Sequence, residues 1–152
     1  MNWYGILKVL HVLSAVVWIG GGAALATIIV RLARSADRAT LGAVLPQVAR
    51  FMQTMAGPAS GIVLLSGIAM VIVGHVGFRT LWVSLGFGGI VIHGLFGGLV
   101  MRKRMEALGA AVSASSGDDG LAHAGARFQN AFVVYLLIMA SIVAVMVLKP
   151  TL

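Results

Sequence analysis

The sequence predicts an all-α integral membrane protein, a four-helix bundle that forms one domain over residues 1–152. The composition of the chain and its pattern of apolar runs predict this fold. Hydrophobic residues make up 60% of the chain, charged residues make up only 10%, and the mean hydropathy is +1.03. A soluble domain of this size could not bury so much apolar surface. The chain also contains four apolar runs, each about as long as the roughly 20 residues that a helix needs to cross the hydrocarbon layer.

The four predicted helices cover residues 3–31, 48–75, 79–104 and 122–148. The first helix begins without a basic segment and is too long for a signal peptide, so we expect it to stay in the mature protein. The following loop is long enough for a short interfacial helix that ends near Pro46. In the second helix, Pro58 cannot bond to the Thr54 carbonyl, which predicts a kink. The last loop contains SASSGDDG, whose composition is typical of a flexible linker.

The charge of the chain orients it in the lipid bilayer. The net charge is +7, and most basic residues fall in two of the connections. Because positively charged loops remain in the cytoplasm, we expect both termini and the GHVGFRT turn to be periplasmic in a bacterial inner membrane. This distribution argues against a nucleic acid partner. The absence of cysteine excludes disulfides and thiolate ligands. The basic residues of the two connections are Arg31, Arg34, Arg38, Arg50, Arg102, Lys103, Arg104 and Arg127.

One histidine lies within the first predicted helix. His11 is part of LHVLSAVVWIGGG, and Trp18 follows on the same helix face. An ionisable side chain at membrane depth is costly, so it usually faces the bundle interior and has a partner. Three alternatives remain open: a neutral imidazole bonded to a neighbour, a ligand to metal or haem, and a proton relay. Histidines on facing helices hold cofactors in helical bundles, and haem b needs no covalent attachment.

A second histidine lies within the third predicted helix. His93 shares a helix face with Gly86, Gly89 and Gly97, so a groove without side chains runs above and below the imidazole. Either a partner helix or a flat ligand could fill this groove. Two further pairs of glycines at i, i+4 spacing predict close helix approach, within the bundle or in a homo-oligomer. These pairs are Gly57 with Gly61 and Gly94 with Gly98.

The two histidines are predicted at different depths. His11 lies 20 residues before Arg31, or about 30 Å, whereas His93 lies 9 residues before Arg102, or about 13 Å. Axial ligands of one iron must be nearly level, so two separate sites are expected. By depth, the candidate partners for a metal at His11 are Met70, His75 and Met139, and the candidate for His93 is His123.

The start of the fourth predicted helix carries a candidate anion site. Arg127 and Asn130 share a face at i, i+3 spacing, and a guanidinium makes two-pronged contacts with a carboxylate such as a haem propionate. The alternative is an interfacial arginine that extends to the lipid headgroups. The four acidic residues all lie outside the predicted spans, which argues against an acid-driven pump. The sequence assigns no catalytic residue.

Four segments resemble a known group of membrane proteins. They are LKVLHVLSAVVWIGGG, MAGPASGIVLLSGIAMVI, IVIHGLFGGLVMRKR and RFQNAFVVYLLIMASIVAVMVLKP. The group includes HemJ-type protoporphyrinogen oxidases, copper-resistance protein D domains and related small integral membrane proteins. The resemblance to HemJ-type proteins implies four helices, bound haem b and protoporphyrinogen oxidation, with His11 as a functional residue and His93 as the third-helix histidine. The chain has Ser84, Ala131 and Val133 where that pattern has Lys, Glu and Pro.

Three functions follow from these observations. The first is a haem b-binding inner-membrane protein with a redox or porphyrin-handling role, with His11, His93, Trp18, Arg127 and Asn130 around the cofactor. If it is an enzyme, it is an oxidoreductase, with a redox protein or a quinone as partner. The second is copper handling by imidazole and thioether groups. The third is a non-catalytic accessory subunit of a larger membrane complex.

Overall fold

A computed structural model describes residues 2–114 and 118–150. It contains four long helices, and there is no strand within those ranges. All four helices are long and apolar enough to cross a membrane, so the predicted all-α membrane fold is confirmed. They are α1 (Trp3–Arg34), α2 (Arg38–Val73), α3 (Leu81–Ser113) and α4 (Asp118–Leu148).

Consecutive helices run in opposite directions. The first half of α1 packs on the second half of α2, and the first half of α3 packs on the last helix. The start of α1 and the end of α4 therefore lie on the same side as the turn between α2 and α3. We call this the termini side, and we call the opposite side, which carries the other two connections, the loop side. The helices α1 and α4 also contact each other near the loop side.

The helix α2 begins earlier than the sequence predicts, at Arg38 rather than at residue 48. Pro46 lies inside this helix, so the expected separate interfacial helix is wrong. Asp37 explains the early start, because its Oδ1 accepts a hydrogen bond of 3.0 Å from the Thr40 backbone N–H and caps the helix. This hydrogen bond lowers the pKa of the Asp37 carboxyl. Leu41 and Val48 then face the core and hold the segment against the bundle.

The main hydrophobic core lies on the loop side, where all four helices meet. At one close approach, a Cβ added to Gly125 of α4 would lie 2.6 Å from the Ala33 Cβ of α1, so only a glycine fits there. The Arg38 Nη1 also donates a hydrogen bond of 2.6 Å to the Ala111 carbonyl, which joins α2 to α3. The buried core residues are Ala26, Ile29, Ala33, Leu41, Val48, Leu108, Leu121, Phe128 and Phe132.

Three of the helices contain a π-helical segment, namely Val16–Gly20 in α1, Met52–Ala56 in α2 and Gly97–Met101 in α3. The segment in α2 comes directly before Gly57 and Pro58. Proline has no backbone N–H to give to the preceding turn, which accounts for a local change in hydrogen bonding there. A wider helical turn lies directly before Pro58, and the kink expected there remains a prediction.

The predicted glycine pairs face outward. Gly61, Gly94 and Gly98 have no neighbouring atom within 4 Å of an added Cβ, and Gly57 has only a carbonyl of its own helix. These glycines therefore make no helix contact inside the bundle. Their role in a homo-oligomer remains a prediction.

Candidate functional site

A cavity of about 480 Å³ lies between the four helices. This volume falls in the usual range for small-molecule sites, roughly 300 to 1,000 Å³. Each of the three π-helical segments contributes to its wall, and such segments occur frequently at functional sites. The contributing residues are Trp18 and Ile19 in α1, Met52 and Gln53 in α2, and Gly97 and Met101 in α3. The wider turns of three helices thus surround one space.

His93 is part of the wall of this cavity. Its side chain is 3% exposed, and aromatic rings lie against it on two sides. The Trp18 ring centroid is 4.9 Å away at an angle of 88°, and the Tyr135 ring centroid is 4.1 Å away at 42°. His93 Nε2 has no hydrogen-bond partner in residues 2–114 and 118–150. A buried polar group without a partner costs about 1 to 3 kcal/mol, so this nitrogen requires an explanation.

The glycine stripe around His93 is filled on one side and open on the other. On the termini side, the side chains of Met146 and Ile142 in α4 occupy the space beside Gly86 and Gly89. On the loop side, Gly97 lines the cavity, and a Cβ there would lie 3.6 Å from the Tyr135 ring. The helix α4 therefore fills half of the predicted groove, and the other half is open space next to His93.

Polar side chains gather at the loop-side end of the cavity. Arg102 and Glu106 line this end, Gln53 lines the wall farther from it, and most of the remaining wall is apolar or aromatic. The Arg102 Nε donates a hydrogen bond of 2.8 Å to the Glu106 Oε1. Both side chains are exposed, by 76% and 60%. The cavity is therefore amphipathic, with an apolar body beside His93 and a charged mouth.

His11 lies in a separate environment on the termini side. Its Nδ1 is 3.0 Å from the Ser66 Oγ, and the Ser66 hydroxyl donates to the Ile62 carbonyl at 2.5 Å. In the tautomer that keeps the bond from the Ser66 hydroxyl to the Ile62 carbonyl, the His11 Nδ1–H donates to Ser66 and Nε2 carries a lone pair. His11 lines a smaller cavity of about 70 Å³ together with Met70 and Met146.

The other predicted site residues are dispersed. Met139 lines the larger cavity with His93 and is not brought to His11. His75 is exposed in the turn after α2 and has a positive φ of 51°. His123, Arg127 and Asn130 are exposed on α4 and line neither of these two cavities. In the described part of the chain, no group of three or more His, Cys, Asp or Glu side chains could hold a metal ion.

Sequence reasoning missed several residues that define the two environments. Tyr135 continues the helix face of the buried Phe128 and Phe132, so its i, i+4, i+7 spacing could have identified it. Ser66 and Arg102 carry no comparable signal. Ser66 resembles any small polar residue in an apolar helix, and Arg102 resembles any basic residue at the end of a membrane span.

Comparison with known proteins identifies one family. The family model described as "Predicted integral membrane protein (DUF2269)" matches residues 5–150. Comparisons with curated proteins and with solved structures give no match. The match covers almost the whole chain, including all four helices of the bundle. The chain therefore belongs to the DUF2269 family of predicted integral membrane proteins.

Proposed function

We propose that the protein binds a porphyrin, with haem b as the cofactor, in the larger cavity and that His93 is the residue that contacts the bound group. The observation that carries this proposal is the buried, unpartnered His93 Nε2 in the wall of a cavity of ligand size. Neutral imidazole is a common axial ligand of haem iron, and bundles hold such cofactors through inward histidines. Binding to iron would give this nitrogen the partner that the protein does not supply.

The rest of the cavity fits a flat, mostly apolar group. Trp18 and Tyr135 present aromatic rings beside the imidazole, and most of the cavity lining is apolar. Haem iron, when bound, supplies one-electron chemistry. Because His93 Nε2 is covered in this structure, binding at this atom requires a neighbouring side chain to move. The rings of Trp18 and Tyr135 contact the imidazole and are the side chains that would move.

Binding of a porphyrin in this cavity would give the protein a redox or porphyrin-handling role in a bacterial inner membrane. The resemblance of the four helices to HemJ-type proteins supports it, as does the presence of two histidines inside the spans. The basic connections support a cytoplasmic location for the loop side. In that orientation, the mouth of the cavity lies at the cytoplasmic surface.

The test is an absorption spectrum of the protein purified from haem-sufficient cells, oxidised and then reduced with dithionite. We expect a Soret band that His93→Ala removes. His11→Ala is the matched control, because it removes an imidazole from the other cavity and should leave the band. Loss of the band only in His11→Ala would show that the haem site includes His11 of the first helix and not His93. Absence of any Soret band in the unaltered protein, also after addition of hemin, would overturn the proposal.

A second candidate function is copper binding in the smaller cavity. Its specific support is that His11, Met70 and Met146 line one space of about 70 Å³, which suits an ion rather than a macrocycle. The His11 Nε2 lone pair would be the nitrogen ligand, with Ser66 holding the ring. Metal analysis after copper loading tests this function. Copper retained by the unaltered protein and lost in His11→Ala is expected, and no retained copper would contradict it.

A further inference from the structure

The charged residues of the larger cavity lie at its loop-side mouth. Trp18, His93 and Tyr135 lie deep in the wall, whereas Arg102 and Glu106 are exposed at the mouth. In an amphipathic occupant, a polar group left in the apolar body would lose its hydrogen bonds. Its polar end therefore lies at the mouth, next to a guanidinium.

We propose that Arg102 binds the carboxylate groups of the porphyrin and so determines which way the macrocycle enters the cavity. This inference rests on the proposed function. The guanidinium uses its Nε to bond Glu106, so that bond does not occupy its two terminal nitrogens, and a guanidinium can bind a carboxylate through two parallel hydrogen bonds. Arg102 lines the cavity, and the sequence-predicted Arg127 does not.

Glu106 opposes this binding. Its carboxylate is 2.8 Å from the Arg102 Nε and also lines the mouth, where it repels an incoming carboxylate. The two side chains are four residues apart on the helix and are both exposed, so their ion pair is weak. Arg102 can therefore readily exchange Glu106 for another partner. Substitutions at the two positions are therefore expected to change the affinity for a carboxylate-bearing porphyrin in opposite directions.

The experiment compares protoporphyrin IX, which has two carboxylates, with its dimethyl ester, which has none. Binding to the purified protein in detergent is measured by quenching of tryptophan fluorescence. We expect Arg102→Gln to weaken binding of the free acid by about three- to fivefold, as for an exposed charge pair, and to leave the ester unchanged. Glu106→Gln should strengthen binding of the free acid. Lys103→Gln is the matched control, because Lys103 is an exposed neighbouring cation that does not line the cavity.

The outcomes separate this inference from the function on which it rests. If both porphyrins bind in a His93-dependent manner but Arg102→Gln has no more effect than Lys103→Gln, the role of Arg102 is overturned and porphyrin binding stands. An equal loss of affinity for the acid and the ester in Arg102→Gln would also overturn it, because the effect would then not depend on the carboxylates. If neither porphyrin binds the unaltered protein, both proposals fail.

Discussion

His11 and His93 occupy similar sequence contexts and different structural ones. Each is a single imidazole in an apolar helix, yet His11 bonds to Ser66 and adjoins a cavity of about 70 Å³. His93 has an unpartnered nitrogen and adjoins a cavity of about 480 Å³. The helix that carries a histidine does not determine the environment of its side chain. The neighbouring helices decide it, because they supply a hydroxyl in one case and two aromatic rings in the other.

The largest expected effect concerns the orientation of the bundle, that is, which face of the membrane the loop side and the termini side occupy. The chain has no cysteine, so single cysteines can be introduced without background. Ser35→Cys lies at the loop side and His75→Cys at the termini side. In intact bacterial cells, we expect a membrane-impermeant maleimide to label His75→Cys fully and Ser35→Cys only after lysis. The reverse pattern would place the mouth of the larger cavity outside the cytoplasm.

The next effect tests the two halves of the glycine stripe around His93. Gly89→Leu places a side chain where the Ile142 side chain already lies, at 2.6 Å from an added Cβ. Such overpacking lowers the free energy of unfolding by about 1 to 3 kcal/mol. Gly97→Leu extends into the larger cavity, so it should leave thermal stability nearly unchanged and prevent porphyrin binding. Thermal unfolding in detergent and a hemin titration measure the two effects.

Gly88→Leu is the control for this pair, because an added Cβ at Gly88 meets no atom within 4 Å. It should change neither stability nor hemin binding. Equal stability of Gly89→Leu and Gly88→Leu would contradict the packing of α3 against α4. Unaltered hemin binding by Gly97→Leu would contradict the cavity as the porphyrin site.

A smaller effect separates the partnered histidine from the unpartnered one. Ser66→Ala removes the hydrogen-bond acceptor of the His11 Nδ1–H and leaves a part-buried donor without a partner, so we expect a loss of about 1 to 2 kcal/mol in unfolding free energy. In the porphyrin-free protein, His93→Phe removes a polar nitrogen that has no partner, so stability should be unchanged or increased. Unfolding in denaturant measures both. A loss in His93→Phe equal to that in Ser66→Ala would show that His93 makes a stabilising hydrogen bond.

The smallest effect concerns the helix ends on the two sides. Ala36 after α1 and His75 after α2 have positive φ angles of 54° and 51°, a conformation that costs energy for residues with a Cβ. Ala36→Gly and His75→Gly should each raise the melting temperature, with a gain of about 0.5 to 1 kcal/mol. Ala39→Gly, inside a helix, is the control and should lower it. No gain at either position would contradict the described turns.

The number of membrane spans could be predicted because it depends only on the lengths of the apolar runs. The separate environments of the two histidines could be predicted because the depth of each depends only on its position along its own helix. The pairing of His11 with Ser66 could not, since it depends on how α1 and α2 are rotated against each other. In a soluble bundle, polar residues mark the outward face. Here Gly88 faces outward and Gly86 faces α4, and nothing in their chemistry distinguishes them. For the same reason, the cavity was expected only as a groove along one helix.

The three π-helical segments lead us to expect a mechanical property of the larger cavity. A wider turn contains an extra residue, and it can move along a helix by exchanging one set of backbone hydrogen bonds for the next. Walls of regular α-helix cannot change register in this way without losing hydrogen bonds. Because three helices carry such a turn around a single space, we expect that space to change its size with few unpaired backbone groups, as a protein surrounded by lipid requires.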